Sequence, residues 1–225
     1  MSRTSSFAGA ASASRRRTPA SARRTRRHSR PWSGKEAVLA AASSHSYNKC
    51  MRVIAGSLKG REFKSPRGAK THPMSDKVRG ALFNMLGDIA GLTFLDTFAG
   101  SGALSFEAVS RGAISATAID YDKSAHRALD QNVKELKLTN VKVIHAGASG
   151  WSENNQDKTF DIVLLDPPYD NLQINLLEKL VDRHVKPGGL AVLSLAGKLD
   201  PPELGLEIAA RKSYGDAQLV FYRKS

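Results

Sequence analysis

From residue 92 onward the apolar positions alternate between short continuous runs and longer runs of helical period. The runs "LTFLDTF" (92–98), "ATAID" (116–120), "VKVIHA" (141–146), "FDIVLLD" (160–166) and "LAVLSL" (190–195) predict strands, and their near-continuous apolarity fits burial on both faces. Between them, "ALSFEAVSRG" closed by Gly112, the stretch over roughly 122–138 and the stretch near 172–185 predict helices. A "KPGG" turn precedes the strand at 190–195, and "LEIAARKSYGDAQLVFYR" predicts two strands around a turn at Gly215-Asp216. Strand–helix alternation of this kind specifies an α/β domain over 91–225, with a mostly parallel sheet and helices on both faces. The closing hairpin adds an antiparallel edge.

Residues 51–90 break that rhythm. "MRVIAGSLKGREFKSP" holds short β-prone pieces around Gly60, which predict a small hairpin. "MSDKVRGALFNMLGDI" sets Val78, Leu82, Met85 and Ile89 at helical spacing, with Ser75 as N-cap, Gly91 as the stop, and Lys77 and Arg79 on the polar side. Residues 1–50 are Ser, Ala and Arg with no lasting periodicity. Such a segment buries too little apolar area to offset its ordering entropy, so a disordered tail is expected. Three origins fit it: an extension upstream of a true start at Met51, an acid-poor organelle-targeting peptide, or an RNA-binding arm.

Charge sharpens this division. The 225 residues carry a formal net charge of +13, but it is unevenly placed. Residues 1–50 hold 11 Lys and Arg against 1 acid, 51–90 hold 8 against 3, and 91–225 hold 15 against 17. The α/β domain is therefore almost neutral, and the middle segment carries the informative charge. No run approaches the ~20 apolar residues that cross a bilayer, so no membrane role is expected. A single cysteine, Cys50, excludes an intramolecular disulfide framework and suits a reducing compartment. No Cys/His cluster has zinc-ligand spacing, so no metal is expected.

Two strand ends carry the chemistry. The first strand runs into "DTFAGSGALSFEA", which places Gly100 and Gly102 in the turn before a helix; glycines there allow close approach of a ligand to the backbone. Asp120 ends the next strand, 18 residues after Gly102, near the spacing at which an acid reaches ribose hydroxyls. The third glycine of the dinucleotide fingerprint is replaced by Ser105, and no Gly-Lys-Ser/Thr follows to make a phosphate loop. Asp96, just before the loop, suits a cationic amino group such as that of S-adenosylmethionine and disfavours a diphosphate.

The second strand end is Asp166-Pro167-Pro168-Tyr169. Two prolines stiffen the loop and remove two N–H donors, leaving a carboxylate and a carbonyl as acceptors beside a flat ring. That set suits a nucleobase with an exocyclic amine: the ring stacks on Tyr169 and the NH2 donates to the acceptors. Holding both N–H bonds aims the nitrogen lone pair at an electrophile, which is catalysis by positioning.

"DTFAGSGALSFEA" and "LLDPPY" resemble the two signature motifs of S-adenosylmethionine-dependent amino-methyltransferases. The block "MRVIAGSLKGREFKSPRGAKTHPMSDKVRGALFNML" and the ending "SYGDAQLVFYRK" are similar to bacterial 16S ribosomal RNA guanine-N2 methyltransferases of the RsmD type, over essentially all of 51–225. The resemblance implies a Rossmann-like class I fold with a seven-stranded sheet and a small N-terminal extension. It implies a cofactor site at Asp96, Phe98, Gly100, Ser101, Gly102, Asp120, Tyr121 and the backbone of Ala148. Asp166, Pro167, Pro168 and Tyr169 would take the guanine, and Arg52, Lys59, Arg61, Lys70 and Arg79 would hold RNA phosphates. The implied partner is the small ribosomal subunit, met by a monomer in the cytoplasm, or in an organelle if residues 1–50 are a transit peptide. Two departures stand out: His72-Pro73-Met74 where the family has Arg-Pro-Thr, and Gly147 where it has an Asp near the adenine. A DNA adenine-N6 or cytosine-N4 methyltransferase uses the same clamp, but 51–225 leave little room for a DNA-recognition domain. An NAD(P)-dependent oxidoreductase leaves residues 166–169 unexplained, and a non-enzymatic RNA binder leaves both pockets idle.

Overall fold

A computed structural model describes residues 50–66, 74–170 and 172–225. The tail over 1–49, Lys70, His72 and Pro73 lie outside the described residues. The small hairpin forms from β1 (Cys50–Arg52) and β2 (Glu62–Lys64), antiparallel with Met51 opposite Phe63. Helix α1 (Asp76–Leu86) follows, and the Ser75 hydroxyl caps it by accepting the Val78 N–H at 3.3 Å. The helix stops at Gly87 rather than Gly91, where the chain turns to positive φ and the Gly87 N–H returns to the Phe83 carbonyl at 3.2 Å. Ile89 is accordingly buried in the connection, and Met85 is exposed.

The main sheet is built from β3 (Thr93–Asp96), β4 (Ser115–Asp120), β5 (Val141–His145), β6 (Phe160–Leu165), β7 (Val185–Ala196), β8 (Glu207–Tyr214) and β9 (Ala217–Arg223), in the order β5-β4-β3-β6-β7-β9-β8. The first five of these positions are parallel, and β9 is antiparallel to both β7 and β8. Helices α2 (Ala103–Ser110), α3 (Lys123–Glu135), α4 (Ala148–Glu153) and α5 (Ile174–His184) make the crossovers. α4 was not legible as a helix, and the "KPGG" segment is a stretch inside β7: Val185 pairs with Phe160 and Leu190 with Ile162, so residues 186–189 bulge out of register. No helix of the described residues is long and apolar enough to cross a membrane.

Strand alternation divides the core in two. Phe94, Ile162, Leu164, Val192 and Phe221 face one layer, with the hairpin, α1, α2 and α3. Leu95, Val163, Leu165, Leu193 and Tyr222 face the other, with Trp151, Leu177 and Val181 of α4 and α5. After β3 the chain winds outward to β5 and then crosses to β6 on the other side of β3. The carboxyl ends of β3 and β6 therefore flank a topological switch point, where open α/β sheets bind ligands.

Candidate active site

Asp96 ends β3 fully buried. The Ser105 hydroxyl donates to its Oδ2 at 2.8 Å, and its Oδ1 has no partner. Burial pushes its pKa up to about 7; Ser105 opposes the rise, and the nearby Asp166 and Asp120 charges add to it. A buried carboxylate with one idle oxygen is a receptor for a cation.

The loop after it is pinned to both neighbouring strand ends. The Thr97 N–H and hydroxyl donate to the Leu164 carbonyl of β6, and the Ala99 N–H donates to the Ile119 carbonyl of β4. The Gly100 N–H donates to Asp120 Oδ2 at 2.8 Å, while Asp120 Oδ1 accepts the Asp122 N–H at 2.8 Å. Burial raises the Asp120 pKa, and those two N–H bonds oppose it. The two glycines separate in role. A Cβ at Gly102 would lie 2.4 Å from both Leu129 Cδ1 and Phe106 Cζ, so this glycine lets α2 pack on α3. A Cβ at Gly100 would meet nothing within 4 Å, so only here does the loop leave open space. Ser101 faces the hairpin: its hydroxyl donates to Met51 Sδ at 3.4 Å and its carbonyl accepts from Asn132 at 3.0 Å. Its side chain is thus withdrawn from any cofactor.

Phe98, Tyr121, Ala148, Pro167 and Pro168, from four separate strand ends, line one cleft of about 210 Å³ with Gly147, Ser149, Gln173, Leu176 and Leu177. Tyr121 is largely exposed, and its carbonyl lies 3.1 Å from His145 Nε2, whose ring stacks on His126. Gly147 is the N-cap of α4 and offers no side chain there.

Asp166 follows β6 partly buried, and burial pushes its pKa up to about 6 against a hydrogen bond from Ser194. Pro167 is buried, whereas the Tyr169 ring is 42% exposed. Its hydroxyl nevertheless lies 2.9 Å from Ser194 Oγ, and burial raises its pKa. Ser194 escaped the sequence reading. The available signal was a lone hydroxyl in the apolar run "LAVLSLA". Asp170 is exposed and points to no role.

The basic set is only partly free. Arg52 pairs with Asp76 at 3.2 Å, and Arg61 donates to the Glu135 carbonyl at the end of α3. Arg79 corrects the sequence expectation: it is fully buried, not on a polar face. Its guanidinium donates to the carbonyls of Arg52 and Met74 and to Asp76, and its Nε sits 3.9 Å from Glu107. It is a structural ion: its Nε has no hydrogen-bond partner, but the whole side chain is buried beyond reach of a phosphate. Of the four expected contacts among the described residues, Lys59 alone has a side chain without an internal ion pair or hydrogen bond.

Residues 51–223 match the family model described as Conserved hypothetical protein 95. Ribosomal RNA small subunit methyltransferase D of Escherichia coli (strain K12) is 37% identical over 140 residues, 60% of this chain and 70% of that one. YlbH of Bacillus subtilis (strain 168), provisionally named an rRNA methyltransferase, is 34% identical over 188 residues, 77% of this chain and 99% of that one. The solved structure of yhhF from Escherichia coli, provisionally named a methyltransferase, superposes with a TM-score of 0.69 at 30% identity, covering 78% of this chain and 98% of that one. The family match takes in the basic block, the glycine loop and the Asp166 loop together, and the chain belongs to the Conserved hypothetical protein 95 family, the RsmD type, with its Rossmann-like class I methyltransferase fold.

Proposed function

We propose that the protein transfers a methyl group from S-adenosylmethionine to the exocyclic N2 of a guanine in 16S ribosomal RNA. The observation that carries this reading is the meeting of two unlike receptors at one sheet edge. Asp96, with an idle buried oxygen, is built for a cation. Asp166 and Tyr169 are built for an aromatic amine.

The residues fit the cofactor. Asp96 would take its ammonium, Asp120 its ribose, and the walls at Phe98, Tyr121 and Ala148 its adenine. When bound, S-adenosylmethionine supplies an electrophilic methyl group on a sulfonium. The chain's own part is positional. Asp166 and the Pro167 carbonyl accept the two N–H bonds of the acceptor amine, Pro168 stiffens the loop, and Tyr169 carries the base. The lone pair is then directed at the methyl group without a strong base, and the proton that N2 must shed as it gains carbon would pass to the Asp166 carboxylate that already accepts its N–H. Arg52, Lys59 and Arg61 hold RNA phosphates in this reading. The chain acts as a cytoplasmic monomer on the small subunit.

The test incubates the full chain with unmodified small-subunit particles and labelled cofactor. Nucleoside analysis is expected to yield N2-methylguanosine. N6-methyladenosine or N4-methylcytidine would instead place the protein with amino-methyltransferases of another base, and no label at all would overturn the reading.

A further inference from the structure

Ser194 sits in β7, not in either motif, yet it touches the acceptor loop at two points. Leu193 of β7 pairs with Leu165 of β6. One step further along, Ser194 and Asp166 stand abreast on the same sheet face as Val192 and Leu164. Ser194 is 2% exposed, its Oγ lies 2.9 Å from the Tyr169 hydroxyl, and it stands near enough to the Asp166 carboxyl to hold its pKa down against burial. A hydroxyl has one proton to give. With Asp166 ionised, one arrangement satisfies all three groups: Tyr169 donates to Ser194, and Ser194 donates to Asp166.

We propose that Ser194 is the positioning residue of the acceptor clamp, tying the Tyr169 ring and the Asp166 carboxylate into one unit from beneath. The prolines fix only the backbone of the loop. A half-exposed tyrosine on such a loop keeps its side-chain torsions free unless its far end is held, and Ser194 holds that end. The tether also sets which carboxylate lone pairs of Asp166 remain for the amine. The assignment of the amine to these residues rests on the function proposed above; the tether itself does not.

The test uses Ser194→Ala in the full chain with two readouts. First, carbon-13 NMR of labelled aspartate follows Asp166 in the free protein, its signal identified by its loss in Asp166→Asn. Its midpoint is expected to rise by about 0.5 pH unit or more once the donor is gone; an unmoved midpoint overturns the tether. Second, single-turnover methyl transfer is expected to slow by ~10-fold or more, with its acid limb displaced upward, S-adenosylhomocysteine affinity within about twofold, and most of the rate restored in Ser194→Thr. Wild-type transfer with an unmoved limb overturns the positioning role while leaving the proposed function standing. A wild-type chain that transfers no methyl group, but shows the NMR shift on Ser194→Ala, overturns the function and keeps the tether. Should Ser194→Ala fail to fold, Tyr169→Phe cuts the same chain from its exposed end: a smaller upward shift of the Asp166 midpoint is expected, and an unmoved one overturns the tether.

Discussion

The basic hairpin and the acceptor loop are both irregular segments held against the sheet, and they are held in opposite ways. Glu107 of α2 is fully buried beneath the hairpin: its two oxygens accept the Ile54 and Ala55 N–H groups at 2.8 and 3.1 Å and the Arg111 Nε at 2.7 Å. Ser110 accepts the Leu58 N–H, and Asn132 exchanges two hydrogen bonds with the Lys64 backbone. The acceptor loop has two prolines and one serine. The hairpin is therefore anchored several times over, by the helix that begins at the glycine loop and by α3 beside it. The tyrosine plate depends on a single side chain. Under the proposed function, the surface that would meet a large RNA is rigid by redundancy, whereas the clamp that would hold one base is adjustable by one hydroxyl.

Four measurements would break or sharpen that contrast. Glu107→Ala removes the partner of two backbone N–H groups and of Arg111, and leaves the buried Arg79 beside an empty place. It is expected to cost about 3–5 kcal/mol in urea unfolding. A wild-type midpoint would show that the hairpin is not held through this carboxylate. Asp166→Ala should reduce methyl transfer by ~100-fold or more, about 2.7 kcal/mol, with S-adenosylhomocysteine affinity unchanged; turnover like that of the wild type would remove Asp166 from the clamp.

The third measurement reads Asp96 by calorimetry. Its pKa is pushed up to about 7 from an ordinary 3.8, and an ammonium partner requires the ionised form. Cofactor affinity should therefore fall by up to ~10-fold per unit below about pH 7, and Asp96→Asn should abolish that slope. The sign for folding is opposite. Across that window the native state holds a proton that the unfolded chain has released, so Asp96 makes the free protein less stable as pH rises from about 4 to 7. The smallest effect is at the RNA face: Lys59→Glu should weaken RNA binding about 2- to 5-fold and lower the salt slope by about 1. Unchanged affinity and slope would place the RNA elsewhere.

How much of this was legible in the sequence depended on how local each cause is. Strands and long helices showed their period directly, and the two motifs lie at strand ends that any parallel sheet brings to one edge. α4 did not, because "ASGWSE" is six residues with an internal glycine and no room for a repeating apolar stripe. Arg79 was misplaced because arginine is ordinarily a surface residue; what holds it inside is a set of acceptors from separate segments, the carbonyls of Arg52 and Met74 and the Asp76 carboxylate, with Glu107 of another helix nearby. Ser194 needed the register between β6 and β7, a relation no window of residues contains.

The order of the last two strands constrains how the chain can fold as it is made. β8 precedes β9 in sequence, yet within the sheet β9 lies between β7 and β8. Until residues 217–223 emerge, β7 shows a bare edge along its full length and β8 has no neighbour in the sheet. Synthesis runs from the N-terminus, so a nascent chain already carrying the glycine loop and the acceptor loop still displays an open strand edge, the feature that invites pairing with another chain. A polypeptide interrupted before residue 217 would carry every residue of the proposed site on an unfinished sheet, and aggregation is the expected fate of such a fragment.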